Sequence, residues 1–593
     1  MKTVDEILLT VEKPARYIGG EFGEKELKPD KLNYCICFPD VYEVAMSNLG
    51  IRIVAEAVNS VDGAVADKCY APWPDFGDEL KKEGIPLFSL GMRMPLKNFD
   101  IVGFSLQYEM SYTNILYMLD LAGIPFFASD RGEEYPIIQG GGPCAVNPEP
   151  LAPFFDLFTI GDGEEVMRQI TALKLTTKTK SEFLRKAAEI EGVYVPSLTY
   201  PEYDKNGRIV GFSGKKVKKA ICLDLDNAVF PETQPVGNIE AVHDRAVIEV
   251  MRGCYRGCRF CQAGFIYRPV RPKNVDKQVE TACRFINQTG YDSLSINSLS
   301  TGDYPYLTEM LEKLKAALPE NTTVSLPSLR IDSFVGYYAN QAKKNSLTFA
   351  PEAGSERLRA VINKDITEEE IMRGVKYAFD LGYGAIKLYF MMGLPTETDE
   401  DIEAIGDLVQ KIKAVYSADA KKLRNLRVNV SVSTFIPKPF TPFMWESFAT
   451  REEVEHKIDV LKKRLYIKGV TFNWNDYELS EIEAVLARGG RETHKIILNA
   501  YNSGSKFDSW NEFFKKENWY GAIENSGVDT KKIIGKHDFS EVCPWDFLDI
   551  GVTKEFFIKE AKLAYDGVNS GGCGKKCNGC GLMASCAAIR AKK

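Results

Sequence analysis

Histidine is nearly absent from this chain: four occur in 593 residues, and none precedes His243. No histidine ligand can therefore come from the first 200 residues. No run of about 18 apolar residues occurs, so no membrane span is expected. The opening stretch, Met1-Lys-Thr-Val-Asp-Glu-Ile-Leu-Leu9, is too polar and too short for a signal peptide. Fourteen cysteines are too few for a disulfide scaffold, and seven of them fall in two motifs. That usage fits a reducing compartment with metal sites, so a cytoplasmic location is expected. A net charge of −7 gives no broad attraction to nucleic acid or an anionic membrane, although it leaves a local basic groove open. What is present is globular: 45% apolar and 26% charged residues, in a chain too long for one core. Three or four domains are expected.

The most informative motif is Cys254-Tyr-Arg-Gly-Cys258-Arg-Phe-Cys261, just after the apolar run Ala246-Val-Ile-Glu-Val-Met251. Gly253 and Gly257 let the backbone fold tightly. Three thiolates at this spacing can hold three irons of a [4Fe–4S] cube and leave the fourth iron open to a ligand. The alternatives are a zinc knuckle or three unrelated thiols. Zinc normally needs a fourth Cys or His nearby, yet the next cysteine is Cys283 and no histidine intervenes.

This C-x3-C-x2-C pattern resembles the radical S-adenosylmethionine (SAM) superfamily. The resemblance implies a partial (β/α) barrel whose open iron binds the amino and carboxylate groups of SAM. It implies reductive cleavage of SAM to a 5′-deoxyadenosyl radical, with Phe260 near the adenine. Such clusters are oxygen-labile, so an oxygen-poor cell is implied, with a reductant such as flavodoxin or ferredoxin as partner.

In the first third, strands are expected at 33–38, 101–106, 138–142 and 158–161, with helices at 42–58 and 111–122. Alternating strands and helices argue for a doubly wound, Rossmann-like α/β sheet. Glycines at strand ends, Gly140, Gly141, Gly142 and Gly161, place backbone N–H groups in a crevice. The stretches Phe38–Gly50, Gly140–Cys144, Asn147-Pro-Glu149 and Ile160-Gly-Asp-Gly-Glu-Glu165 resemble the cobalamin-binding-type domain upstream of some radical SAM cores. That resemblance implies a corrin crevice including Glu149. The Asp-x-His-x-x-Gly cobalt-ligand motif is missing, and some relatives hold cobalamin without it. The alternative is a Rossmann-like domain kept for packing or substrate docking.

Residues 201–245 break often at proline and glycine and read as a linker with short strands. Six βα units follow, with strands at 246–251, 292–298, 322–328, 346–350, 384–391 and 427–434, giving a partial (β/α)6 barrel. Function collects at the C-terminal strand ends. The resemblance places SAM contacts at Thr301, Gly302 and Asp303, at Ser328 and Arg330, at Glu352, and at the Gly393-Leu-Pro turn. Lys387 and Tyr389 alternate with apolar residues and so share one strand face; if that face is the lumen, they can bind SAM or donate a proton. Structural salt bridges, rim positions and solvent exposure are the competing readings of these side chains.

The tail carries Cys573, Cys577, Cys580 and Cys586 within fourteen residues. Cysteine-only ligation suits zinc or iron–sulfur. The spacing resembles part of the auxiliary-cluster domains that follow some radical SAM cores, with Cys543 a candidate outside ligand. The expected domains are 1–200 (cobalamin-binding-like), 201–245 (linker), 246–446 (core barrel), 447–540 (helical accessory region) and 541–593 (cysteine-rich module). The expected function is radical modification of a substrate that the sequence leaves open as small molecule, peptide or RNA. Cobalamin-dependent methyl transfer, sulfur insertion and RNA or ribosome modification are the enzymatic alternatives. An iron–sulfur scaffold or sensor is the non-enzymatic one. The basic stretches 215–219, 421–427 and 462–464 would be the RNA contacts.

Overall fold

The computed structural model describes residues 2–24, 26–327, 346–417, 426–574 and 576–591. The N-terminal sheet is built from β1 (Leu32–Phe38), β2 (Ala64–Tyr70), β3 (Ile101–Ser105), β4 (Ile137–Gly141), β5 (Leu157–Thr159) and β6 (Val193–Tyr194). Its order is β2-β1-β3-β4-β5-β6, parallel except for the antiparallel edge strand β6. β1, Leu-Asn-Tyr-Cys-Ile-Cys-Phe, is buried on both faces, as a strand between two helical layers must be. The chain leaves β1 toward β2 on one side and returns to β3 on the other. That reversal opens a crevice at the carboxyl ends of β1 and β3. Helix α1 (Leu49–Asn59) starts beside it, with the Asn48 side-chain oxygen accepting from Ile51 N–H at 3.1 Å. Helix α2 (Gly163–Thr176) starts where β5 ends.

The linker forms a hairpin of β7 (Pro201–Tyr203) and β8 (Ile209–Phe212), then β9 (Val217–Lys218). In the core, β10 (Ala246–Glu249) leads to β11 (Met251–Arg252), which pairs antiparallel with β12 (Arg271–Pro272) across the cysteine loop. Helix α3 (Val275–Thr289), β13 (Ser293–Asn297), α4 (Leu307–Ala317) and β14 (Thr323–Ser325) follow. β10, β13 and β14 form one parallel sheet. β15 (Leu347–Glu352), α5 (Glu368–Asp380), β16 (Ala385–Met392), α6 (Asp399–Ser417) and β17 (Arg427–Thr434) belong to a second. The helix expected at 333–343 lies outside the described residues. Beyond α7 (Arg451–Arg464), β18 (Val470–Trp474) adds a parallel strand beside β17, in a segment to which the sequence pattern assigned no strand. The apolar faces of β16 and β17 (Leu388, Phe390, Val430, Val432) pack beneath α5 and α6 in one core.

Helix α8 (Tyr477–Arg488) packs back on the N-terminal unit, where Asn147 donates to the carbonyls of Ala487 and Gly489 at 2.9 and 3.0 Å. In the tail, β19 (Leu548–Asp549) pairs parallel with β9 of the linker. Helices α9 (Lys554–Tyr565) and α10 (Met583–Ala591) complete it. No helix among the described residues is long and apolar enough to cross a membrane.

Candidate active site

The cysteine loop is a tight fold between β11 and β12. Gly253 adopts φ +83°, and a Cβ there would lie 2.8 Å from the Tyr267 carbonyl oxygen. The Arg256 amide N–H donates to Cys254 Sγ at 3.4 Å. Cys261 N–H donates to Cys258 O at 3.2 Å, and Gly264 N–H to Cys261 O at 3.1 Å. Burial, together with the neighbouring thiols, pushes Cys254 up to about 11 and Cys261 up to about 12. Crowded half-buried thiols of this kind ionise readily only with a cation among them. Among the described residues no three His, Cys, Asp or Glu side chains converge on one metal ion. A cubane needs no such convergence, because each thiolate takes its own iron. Three thiolates with no further Cys or His before Cys283 suit three irons of a [4Fe–4S] cluster better than a zinc knuckle.

Several elements hold this loop. Lys219 of the linker, buried, donates to Ile266 O at 2.7 Å and Arg268 O at 2.8 Å. Arg259, between the second and third cysteines, is fully buried and pairs with Glu560 of α9 at 3.1 Å. Arg256 pairs with Asp303 at the end of β13. Arg252 meets Asp162, Glu164 and Glu249, and Arg271 meets Asp162. Burial alone would raise the Asp162 carboxyl, but Arg271 and Arg252 outweigh it and hold it well below the usual range.

A cavity of about 520 Å³ lies between the two sheets. One wall is the crevice, with Gly103, Gly140, Gly141, Gly142 and Gly161; the other is Glu249, Met251, Arg252, Gly253, Asn297 and Ser298 from the core. The glycines are explained by their own strands. A Cβ at Gly140 would lie 2.6 Å from the Phe158 ring, and one at Gly141 2.5 Å from Thr159 Oγ1. Two buried acceptors on this wall, Gln139 Oε1 and Glu164 Oε2, have no partner among the described residues.

The expected site residues divide. Asp303 and Gly302 stand beside the cysteine loop, with Asp303 tied to Arg256. Thr301 is fully buried, and its hydroxyl donates to Pro327 O at 2.7 Å. Ser328 and Arg330 lie outside the described residues. Phe260 packs against a buried cluster that includes Leu394 and Phe435. Glu352 has φ +69° and pairs with Lys364 at 3.2 Å, and Lys364 is close enough to influence Cys261. Gly393 turns at φ +81° and donates to Glu397 Oε1 at 2.8 Å, which Lys457 pairs in turn. Lys387 and Tyr389 project opposite to buried Leu388 and Phe390, in register with Asn429 and Ser431, so this face is polar.

Glu149 lies apart from the crevice glycines. It is fully buried away from the cavity, accepting from Tyr194 and from Arg491 Nε at 2.9 Å. His494 is wedged against Phe127 and Phe154, its Nδ1 2.6 Å from Arg491 O. Two of the basic stretches are spent on ion pairs: Lys215 with Glu189, Lys218 with Glu191, Lys462 with Asp459 and Arg464 with Glu403. Part of 421–427 lies outside the described residues.

The tail cysteines gather. Cys573, Cys577 and Cys580 each act electrostatically on Cys586, whose thiol is pushed up chiefly by burial. Cys543 is buried elsewhere, among Asp546, Lys554 and Arg488. Residues missed from sequence are Asp162 and Glu164 (seen only within a quoted stretch), Arg252, Arg271 and Asn363. Asn363 follows a short helix at φ +53°, a conformation asparagine tolerates, but that signal is visible only once the helix end is known.

Residues 50–196 match the family model "Radical SAM proteins, N-terminal", and residues 248–409 match "Radical SAM superfamily". An uncharacterized protein, MJ0966, of Methanocaldococcus jannaschii is 30% identical over 84% of this chain and 97% of its own length. The tRNA-2-methylthio-N(6)-dimethylallyladenosine synthase of Pelotomaculum thermopropionicum is 22% identical over 46% of this chain, and the match spans 60% of that enzyme. The radical SAM methyltransferase TsrM of Kitasatospora setae, solved with cobalamin and a [4Fe–4S] cluster, superposes at TM-score 0.44 and 13% identity over 68% of this chain and 74% of that one. With the cysteine loop, the parallel core and the two family-model matches together, the chain belongs to the radical SAM superfamily and is a radical SAM enzyme that uses a [4Fe–4S] cluster and SAM.

Proposed function

We propose that this enzyme modifies a carbon of its substrate in the cavity between the N-terminal sheet and the core barrel. One observation carries the reading: the carboxyl ends of both sheets face one cavity, and Arg252, two residues before Cys254, ties its two walls through Asp162 and Glu164. Cys254, Cys258 and Cys261 would hold the cluster. With SAM bound, that group supplies the single electron that starts radical chemistry. The chain's own residues do the rest. Arg256 and Asp303 fix the loop against the end of β13. Lys219 orders the segment after Cys261.

The cavity also fits a corrin. Gln139 and Glu164 line it and carry acceptor oxygens without a partner among the described residues, and corrin side-chain amides are N–H donors. A corrin would supply methyl transfer, with no histidine ligand from this domain. Cys573, Cys577, Cys580 and Cys586 would hold a second [4Fe–4S] cluster through four thiolates, the cysteine-only set such clusters use. Residues 1–200, 201–245, 246–446, 447–540 and 541–593 are the units of this reading. Flavodoxin or ferredoxin is the class of reductant. A second reading is sulfur insertion at the tail site, favoured by the methylthio-transferring relative.

Anaerobic purification after growth with cobalamin, iron and sulfide tests both. About eight irons per chain, two four-iron clusters, with bound corrin supports the methyl-transfer reading. About eight irons without corrin supports sulfur insertion. In the first case Gln139→Leu and Glu164→Gln should each cut corrin retention; unchanged retention removes the assignment of the cavity.

A further inference from the structure

The two cysteine sites touch. Cys573 N–H donates to Tyr255 O at 2.7 Å, so the first tail cysteine is bonded to the residue after Cys254. A Cβ at Gly572 would lie 2.6 Å from that same oxygen, and one at Gly257 would lie 2.9 Å from Gly571 O. Backbone therefore meets backbone where Tyr255 faces Gly572 and Cys573.

One residue joins them. Asn363 is 3% exposed and belongs to neither loop. Its Nδ2 donates to Gly257 O at 2.8 Å and to Gly571 O at 3.1 Å. Its Oδ1 accepts from Ser570 N–H and Gly571 N–H, both at 3.0 Å. The amide thus spends its full hydrogen-bonding capacity between the core loop and the tail loop. A second clamp runs alongside: Arg259 donates to Val568 O at 2.8 Å, and Ser570 Oγ to Glu560 Oε2 at 2.7 Å.

We propose that Asn363 is a positioning residue that couples the two cysteine sites, so that the tail site sets the reduction potential of the core cluster. This rests on the reading of the tail as a second cluster site. Four thiolates and their metal carry negative charge, and negative charge nearby disfavours adding an electron to the core cluster. Asn363 holds that charge at a fixed distance. A turn-stabilising asparagine with no such role would affect folding but leave the potential indifferent to the tail.

The test is a double-mutant cycle read by EPR-monitored redox titration, with Mössbauer iron counts on each sample. One arm is Asn363→Gly, because glycine accepts the positive φ and only the side chain is lost. The other replaces the four tail cysteines by serine. In the native chain, losing the tail site should raise the core midpoint by about 59 mV, a tenfold change in a one-electron equilibrium. In Asn363→Gly the midpoint should already be raised, and tail replacement should add little. Asn363→Asp keeps both acceptor bonds and loses donation to Gly257 O and Gly571 O. Its own charge lowers the midpoint with or without the tail site, so the shift on tail replacement is what should fall between, and that shift carries the test if the glycine variant does not fold. Additive shifts would overturn the coupling, as would no shift in a native chain that holds both clusters. A native chain with only the core cluster overturns the tail reading, and the coupling with it.

Discussion

Replacing Asp162 by asparagine should loosen the N-terminal sheet from the cysteine loop. Asp162, Arg252 and Arg271 have side chains 8, 13 and 3% exposed, so the cluster of charges is nearly dry. Removing one partner from a buried pair costs about 3–5 kcal/mol, because the remaining charge stays buried. Arg252 keeps Glu249 and Glu164, and Arg271 keeps the carbonyls of Cys222, Tyr267 and Pro269. The lower end, about 3 kcal/mol, is therefore expected, roughly a hundredfold in the local opening constant. The pH dependence follows. Burial would raise Asp162 and Glu249, but their arginine and lysine partners outweigh it, leaving Asp162 well below its usual range and Glu249 at about 2. A depressed carboxyl stabilises fully above its unfolded value of about 4 and loses that contribution as pH falls through the folded one. The deficit of the variant should thus stay constant from pH 5 to 8. Hydrogen exchange of peptides covering 157–166, 217–223 and 248–254 measures it, corrected for intrinsic rates. Opening within threefold of the native chain, or a deficit that varies across that pH range, refutes the reasoning.

Three further outcomes are expected. Replacing Cys254, Cys258 and Cys261 together by alanine should abolish SAM cleavage while about four irons remain in the tail, checked by deoxyadenosine release and iron analysis. Burial pushes the Asp508 carboxyl up to about 6 against hydrogen bonds from Thr113 and Trp519. Its contribution to stability is then full below about pH 4 and lost as pH rises through about 6. Asp508→Asn should flatten the melting temperature between pH 4 and 7 relative to the native chain, and parallel pH profiles would contradict this. Gly257→Ala places a methyl 2.7 Å from Asn363 Nδ2, so it should raise alkylation of Cys573 in the metal-free chain, read by mass spectrometry.

The cysteine loop was legible because its chemistry is local: three ligands and two glycines in nine residues, 253–261. The doubly wound sheet was legible for the same reason, since its periodicity lies within each strand and helix. Glu149 was not. Its partner Arg491 lies 342 residues away, and nothing in Asn147-Pro-Glu149 distinguishes a carboxylate facing a cofactor from one facing an arginine. Thr301 shows the same limit, since a hydroxyl at a strand end suits a ligand and a turn equally until Pro327 is placed above it. β18 escaped although Val470-Thr-Phe-Asn-Trp474 alternates apolar and polar residues, because the run is only five residues long, follows a charged helix and is half-exposed.

Part of what holds the cysteine loop lies outside the matched family models. Those models cover residues 50–196 and 248–409. Lys219 falls between them, and Glu560, Val568 and Gly571 fall beyond them. Arg259 sits inside the second model with its charge fully buried, and such a charge is tolerable only when paired. Its carboxylate partner comes from the tail helix α9. The core loop of this chain is therefore not self-sufficient: without the tail, a guanidinium between two of the cluster's cysteines loses its counter-charge. The matched core supplies the radical chemistry common to the superfamily. The linker and tail supply the seat on which this chain performs it, and the relative that matches at 30% does so across 84% of the chain, well beyond the two models.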